Sequence, residues 1–184
     1  MKRFSCLVMV LFLLTGCDGN GYLDKAMELR QNVTQSGCSF DAEITADYGD
    51  VRHQFSLHCQ SDQHGNLNFS VLEPESIADI TGIISASEGK LTFDDKAVAF
   101  TLMAEGQLSP VSGPWVMVKA LQGGYLSSCC PEDDLYHLSI DDSYEAQSMG
   151  LEVWFNEDRQ ITYAEIYWKG RMLLSMEIEN FVYV

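Results

Sequence analysis

Basic residues are scarce in this chain of 184 residues, which has 11 lysines and arginines against 27 aspartates and glutamates and a net charge of −16. A surface of this charge repels the phosphates of nucleic acids, so nucleic acid is excluded as a partner. Only four prolines are present, and no Pro-rich or low-complexity stretch marks a linker between domains. The length and the 46% hydrophobic content predict one folded domain.

Motifs of catalytic and metal sites are also missing. The histidines form no His-Glu-x-x-His, and no Cys-x-x-Cys or Gly-x-Ser-x-Gly is present. Ser87 and Lys90 match Ser-x-x-Lys formally, but a glycine leads that segment into a strand rather than into a buried helix. The acidic pairs, such as Asp94-Asp95 and Asp141-Asp142, are expected in solvated turns. We therefore predict no enzyme activity, no metal and no cofactor.

A long apolar run occurs at the N-terminus, where Lys2 and Arg3 precede residues 6–14. This run is shorter than the roughly 20 residues that a membrane span requires, so residues 1–16 are predicted to be a signal peptide. The segment closes on Leu-Thr-Gly-Cys17, which resembles the bacterial lipobox. The resemblance implies that Cys17 is acylated and that residues 17–21 form a short tether. The alternative is an ordinary secretory signal followed by a chance cysteine.

Hydrophobic periodicity in residues 22–184 predicts a single α+β domain. Apolar residues recur at helical spacing in 22–35 and 110–121, and Pro74 begins a short helix at 74–80. Alternating apolar residues predict the strands: a hairpin over 38–59 that turns at 47–50, then 66–72, 89–93, 97–102, 135–140, 151–155, 161–168 and 172–179. About eight or nine antiparallel strands with inserted helices suggest one curved sheet.

Four cysteines remain outside the signal peptide and the acylation site: Cys38, Cys59, Cys129 and Cys130. A hairpin turn centred on Tyr48-Gly49 would place Cys38 directly opposite Cys59, close to the spacing that a disulfide requires. Export makes oxidation possible, so we predict a Cys38–Cys59 disulfide. Crossed pairs between the hairpin and Cys129-Cys130 are the alternatives.

The layout of these elements resembles the LolA/LolB-like lipoprotein-carrier superfamily. The resemblance is carried by the leading helix with Leu23 and Leu29, the strand from Phe40 to Asp50, Glu73-Pro74-Glu75, Gly89 to Asp94, the Ser109-Pro110 helix and the closing strands to Phe181. It implies an unclosed antiparallel half-barrel that is capped by helices and encloses an apolar cavity for lipid tails. The soluble carriers are not lipidated, so Cys17 departs from their pattern.

These observations together lead to a functional hypothesis. The chain is predicted to be a lipoprotein anchored on the extracytoplasmic face of the bacterial plasma membrane, which binds an acyl chain or a lipidated partner in the half-barrel. The predicted cavity walls are Phe40, Ile44, Phe55, Phe69, Phe93, Phe100 and Trp115. The alternatives are that these residues only form the core, and that the protein is an accessory lipoprotein or chaperone that binds an envelope or spore-associated enzyme through its surface.

Overall fold

The computed structural model describes most of the domain that follows the predicted tether. The described residues are 20–49, 51–78, 80–85, 89–93, 96–100, 103–104, 107–141 and 149–184. The predicted signal peptide and Cys17 lie outside them. No helix in these ranges has both the length and the apolar character to cross a membrane.

Two α-helices and thirteen strands make up the described chain. The helices are α1 (Asn20–Ser36) and α2 (Gly113–Gly123), and short 3-10 helices lie at Glu75–Ile77 and Pro110–Ser112. The strands are β1 (Cys38–Asp47), β2 (Arg52–Ser61), β3 (Leu67–Glu73), β4 (Thr81–Ile84), β5 (Gly89–Phe93), β6 (Lys96–Phe100), β7 (Met103–Ala104), β8 (Gln107–Leu108), β9 (Tyr125–Glu132), β10 (Leu135–Asp141), β11 (Met149–Phe155), β12 (Ile161–Trp168) and β13 (Arg171–Tyr183).

Eleven of the strands form one antiparallel sheet in the order β6-β5-β4-β3-β2-β1-β13-β12-β11-β10-β9. The first strand therefore pairs with the last, and two meanders extend from this central pair to the edge strands β6 and β9. The sheet ends at these edges, so the predicted unclosed antiparallel α+β fold is confirmed. β7 and β8 pair separately as a two-stranded ribbon.

The sheet contains more strands than the eight or nine predicted, because β4 and β9 lack a clear apolar alternation. In β4, the position facing the core between Thr81 and Ile83 is Gly82, which has no side chain to show the period. The edge strand β9 is exposed or half-buried along its whole length and contains Pro131, which is tolerated at an edge.

The helices cover one face of the sheet. α1 buries Ala26, Leu29 and Val33, which recur at helical spacing, and ends where Gly37 adopts a φ of 77°. α2 is buried around most of its circumference, and Met117, Val118 and Leu121 are fully buried. The core therefore lies between the sheet and α2, with α1 packed against both α2 and β9.

The predicted register of the first hairpin is wrong by two residues. Asp47 pairs with Arg52, so the loop contains four residues, and Cys38 lies opposite Ser61 rather than Cys59. Cys59 lies opposite Phe40, and the Cys38 Sγ is 3.2 Å from the Ser61 Oγ. All four described cysteines are free thiols, so the structure forms neither the Cys38–Cys59 disulfide nor the crossed pairs.

Candidate functional site

Three of the predicted cavity residues lie in the core. Phe40 and Ile44 are each 1% exposed, and Phe69 is 4% exposed. The ring of Phe40 stacks on that of Phe181 with 5.9 Å between the centroids. These side chains therefore expose almost no surface, although Ile44 lines one hollow of about 350 Å³ and Phe69 lines another of the same volume.

The other predicted residues have different environments. Phe55 is half-buried opposite Ile44, and Trp115 is half-buried on α2. Phe93 and Phe100 lie on the neighbouring strands β5 and β6, but their side chains are outside the described part of the structure. Phe55 lines the same hollow as Ile44, whereas Trp115 lines a groove whose walls are mostly apolar.

This groove lies along one side of α2, and we call it the α2 groove. It has a volume of about 320 Å³ and is lined by Trp115, Val116, Lys119, Ala120, Gly123, Gly124 and Met149. The first five residues lie at helical spacings of three to four, so they share one side of the helix. The volume is at the lower end of the range for small-molecule sites.

Backbone contacts hold both ends of the groove. The Trp115 Nε1–H donates to the carbonyl oxygen of Gly65 at 2.9 Å, which fixes the indole against the β2–β3 turn. At the other end α2 stops at Gly123, and the N–H of Gly124 donates to the Ala120 carbonyl oxygen at 2.7 Å. These two hydrogen bonds fix the ends of the groove in the described part of the structure.

The two glycines at the end of α2 differ in the space around them. A Cβ on Gly124 would lie 2.6 Å from Ile140 Cγ2 and 2.8 Å from the Ala120 carbonyl oxygen, so that position requires glycine. A Cβ on Gly123 would meet nothing within 4 Å. Because Gly123 lines the groove, the space beside it is part of the groove and remains open.

Arg30 of α1 donates hydrogen bonds to backbone carbonyl groups at the C-terminus of α2. Its Nε and Nη2 donate to the carbonyl oxygens of Leu121 and Gly124, each at 2.6 Å. Burial lowers the pKa of Arg30 from its usual value. The Arg30 side chain therefore links α1 to the C-terminal end of α2, beside Gly123 and Gly124 of the groove.

The opposite face of the sheet, which we call the open face, is polar and acidic. Its central residues are Glu43, Glu152, Trp154, Tyr163, Glu165 and Glu177. Glu152 lies directly opposite Glu165, and Glu43 lies directly opposite Glu177. Like charges in such positions destabilise a sheet. A hollow of about 350 Å³ on this face is lined by Glu43, Glu73 and Glu177 among other residues.

Aromatic rings lie across the same face. The His137 and Trp154 rings stack with centroids 4.4 Å apart, and Tyr163 follows Trp154 at 5.2 Å. The Tyr167 hydroxyl donates to Glu165 Oε2 at 2.6 Å, and this hydrogen bond raises the pKa of Tyr167 to about 12. Among the described residues, no group of three or more His, Cys, Asp or Glu side chains is arranged to hold a metal ion.

Some residues of the α2 groove were not predicted. Lys119 follows Trp115 by one helical turn, so the spacing on α2 could have indicated it. Met149 lies 26 residues beyond the end of α2, at the start of β11, and no local pattern in the sequence connects it to the helix.

Comparison with known proteins identifies the fold. No family model matches the sequence, and no curated protein matches it. A solved structure of a DUF1329 family protein from Desulfovibrio piger is similar, with a TM-score of 0.50, 10% identity, and coverage of 91% of this chain and 94% of that one.

Two other solved structures are similar at lower scores. A putative outer membrane lipoprotein-sorting protein domain from Vibrio parahaemolyticus has a TM-score of 0.49 and 9% identity, with coverage of 90% and 93%. A LolA superfamily protein from Nitrosomonas europaea has a TM-score of 0.44 and 11% identity, with coverage of 86% and 93%. The similarity to the Desulfovibrio piger protein shows a shared fold, and the LolA/LolB-like superfamily stays what the sequence resembles.

Proposed function

We propose that this protein is a membrane-anchored extracytoplasmic lipoprotein that binds an acyl chain, either of a free lipid or of a lipidated partner. The observation that carries this proposal is the α2 groove, which is apolar and accessible. Its walls include Trp115, Val116, Ala120 and Met149. Each methylene buried there contributes about 0.8 kcal/mol, so a segment of several methylenes suffices for measurable affinity.

A binding experiment tests the groove directly. Gly123→Leu places a side chain in the groove, where the space beside Gly123 is open. Gly21→Leu is the matched control, because Gly21 also lies in a helix with nothing within 4 Å of a Cβ but does not line the groove. Binding of dodecanol and dodecanoate to detergent-free protein is measured by isothermal titration calorimetry and native mass spectrometry.

We expect Gly123→Leu to weaken binding of both ligands at least about tenfold, which corresponds to roughly 1.4 kcal/mol. Gly21→Leu should bind like the wild type. Failure of the wild-type protein to bind either ligand contradicts the proposal. Equal binding by wild type and Gly123→Leu shows that any lipid site is elsewhere.

Anchoring through Cys17 is a separate part of the proposal. α1 begins at Asn20, so few residues separate the ordered domain from the predicted acylation site. The predicted tether of residues 17–21 overlaps α1 at Asn20 and Gly21, and the three residues before the helix span at most about 11 Å, which keeps the domain near the bilayer. Phase partition in Triton X-114 and the mass of the N-terminal peptide test this: Cys17→Ser should move the protein to the aqueous phase and remove the acyl mass.

A second candidate function is docking of a protein partner with a basic surface, and the open face favours it. Like-charged pairs such as Glu152 and Glu165 reduce the stability of the sheet, and a cationic partner would offset that cost on binding. Trp154 and Tyr163 offer ring faces for arginine and lysine.

The second candidate is tested with labelled octa-lysine peptide. The triple variant Glu43→Gln, Glu165→Gln, Glu177→Gln removes three charges from the open face. The control variant Glu75→Gln, Asp134→Asn, Asp158→Asn removes three exposed charges elsewhere. Loss of binding in the first variant alone supports docking on the open face, whereas equal losses indicate an unspecific effect of net charge.

A further inference from the structure

The α2 groove contains one charged side chain among its described lining residues, that of Lys119. Val116 and Ala120, its neighbours on the helix, are buried, whereas Lys119 is exposed. A lysine can lay its methylene stem along apolar surface and keep its ammonium group in water. The ammonium of Lys119 therefore stands at the rim of an otherwise apolar groove.

Lys119 has no carboxylate partner among the described residues, although the protein has a large excess of acidic groups. Other cations are matched: Lys25 pairs with Glu157 at 2.7 Å, and Arg159 pairs with Glu28. An exposed lysine would gain little from such a pair in stability. Its isolation nevertheless leaves the ammonium available to an external anion.

The excess negative charge of the protein does not prevent an anion from binding here. None of the described residues that line the groove is acidic. Charges elsewhere on the surface are screened beyond about 10 Å at ordinary salt concentrations. Among the described lining residues the one charge is that of Lys119, so this part of the groove favours a ligand that is apolar along its length and anionic at one end.

We propose that the α2 groove selects alkyl chains that end in a carboxylate or phosphate group, and that the Lys119 ammonium binds this anionic head. This inference rests on the proposed function and assigns it a ligand class. A free fatty acid and a lysophospholipid both supply this chemistry. A ligand with a neutral head would bind through its methylenes alone. The alkyl chain therefore contributes affinity that all such ligands share, and the head group determines which of them binds most tightly.

The experiment compares dodecanol, dodecanoate and dodecyl phosphate at pH 8 by calorimetry. These ligands share one chain length and differ in the head group. Lys119→Met keeps the stem and removes the charge. Lys90→Met is the matched control, because Lys90 is exposed on β5, which six strands separate from β11 in the sheet, and its loss changes the net charge equally.

We expect wild type and Lys90→Met to bind one or both anionic ligands at least about fivefold more tightly than dodecanol, as a charge-assisted hydrogen bond allows. Lys119→Met should bind all three with equal affinity, and its dodecanol affinity should be unchanged. Preference for dodecyl phosphate over dodecanoate indicates a lipid headgroup as the source, and the reverse indicates a free fatty acid.

Three outcomes overturn the inference in distinguishable ways. Equal wild-type affinities for all three ligands contradict the anionic head but leave the acyl-binding function intact. An anion preference that persists in Lys119→Met shows that another group binds the head. Absence of binding for every ligand overturns both the inference and the proposed function.

Discussion

The guanidinium of Arg30 donates to the carbonyl oxygen of Leu121 at 2.6 Å, which joins α1 to the C-terminal turn of α2. The last carbonyl groups of a helix have no partner within the helix, so they need donors from outside. Arg30 supplies two such bonds, because its Nη2 also donates to Gly124. Arg30 therefore holds the C-terminal turn of the helix that forms the groove.

Removing this link should destabilise the protein. Arg30→Gln leaves the carbonyl oxygens of Leu121 and Gly124 without their charged donor, and we expect the free energy of unfolding to fall by about 1.5–3 kcal/mol. Arg52→Gln is the matched control, because Arg52 is 73% exposed and its pair with Asp47 at 3.2 Å contributes about 1 kcal/mol at most. Urea unfolding measures both, and equal losses would refute the role of Arg30.

The contact between Phe69 and Gly82 gives a second prediction. A Cβ on Gly82 would lie 2.3 Å from Phe69 Cζ and 2.7 Å from the carbonyl oxygen of Lys90. Gly82→Ala should therefore reduce the free energy of unfolding by about 1–3 kcal/mol. Combining it with Phe69→Leu relieves the ring clash but not the backbone clash, so the double variant should show partial compensation in a double-mutant cycle.

Gly21→Ala is the control for this prediction. Nothing lies within 4 Å of a Cβ at Gly21, and alanine favours the helical conformation of α1, so stability should rise by roughly 0.5–1 kcal/mol. A neutral Gly82→Ala would show that Phe69 moves freely at this site, which would contradict its buried placement.

Strong local periodicity explains why much of the fold could be predicted. α1 was predicted within two residues of its observed ends, because Leu29 and Val33 repeat its apolar face and Gly37 stops it. β4 could not be predicted, because Gly82 faces the core without a side chain and the packed ring of Phe69 takes that space. This fit between Gly82 and the ring of Phe69 exists only once β3 and β4 pair, so the sequence alone does not show it.

Local periodicity also made part of the candidate site predictable. Trp115 was predicted because α2 is apolar almost all round. The predicted roles of Phe40 and Ile44 as cavity walls required knowledge of how completely the core is filled, which an alternation of apolar residues does not contain. Met149 meets α2 only through tertiary packing.

Thiol reactivity provides a third prediction. Burial raises the pKa of the Cys38 thiol and of the Cys129 thiol to about 11 and also raises that of Cys59, whereas Cys130 is exposed. Because the thiolate is the reactive form, iodoacetamide at pH 8 should label Cys130 first and Cys38 and Cys59 only after unfolding. Timed labelling with and without 8 M urea, followed by peptide mass spectrometry, measures this order.

The same peptides test the corrected hairpin register. Recovery of linked Cys38–Cys59 peptides from unreduced protein would show that the chain forms the disulfide despite the two-residue offset. Rapid labelling of Cys38 in the folded protein would contradict its buried position beside Ser61.

The final prediction concerns pH. Asp41 accepts a hydrogen bond from Asn180 Nδ2 and lies against His58 Nδ1, each at 2.7 Å, and these contacts lower the pKa of Asp41, with Asn180 as the larger cause. A lowered folded-state pKa stabilises the protein above the unfolded pKa of about 4, and this stabilisation is lost as the pH falls through the folded value. Asp41→Asn should therefore be less stable than wild type at pH 6, by about 1 kcal/mol at most because the site is partly exposed.

The difference between wild type and Asp41→Asn should shrink as the pH falls below about 4 and through the lowered folded-state pKa of Asp41, because Asp41 then becomes protonated in the folded state as well. Urea unfolding at pH 3, 4 and 6 measures this trend. Glu179→Gln provides the contrast: it removes the like charge directly opposite Asp41 and should stabilise the protein at pH 6. If the loss of stability caused by Asp41→Asn instead grew as the pH fell, the neighbours of Asp41 would have to disfavour its ionised form. That result would contradict the contacts to Asn180 and His58.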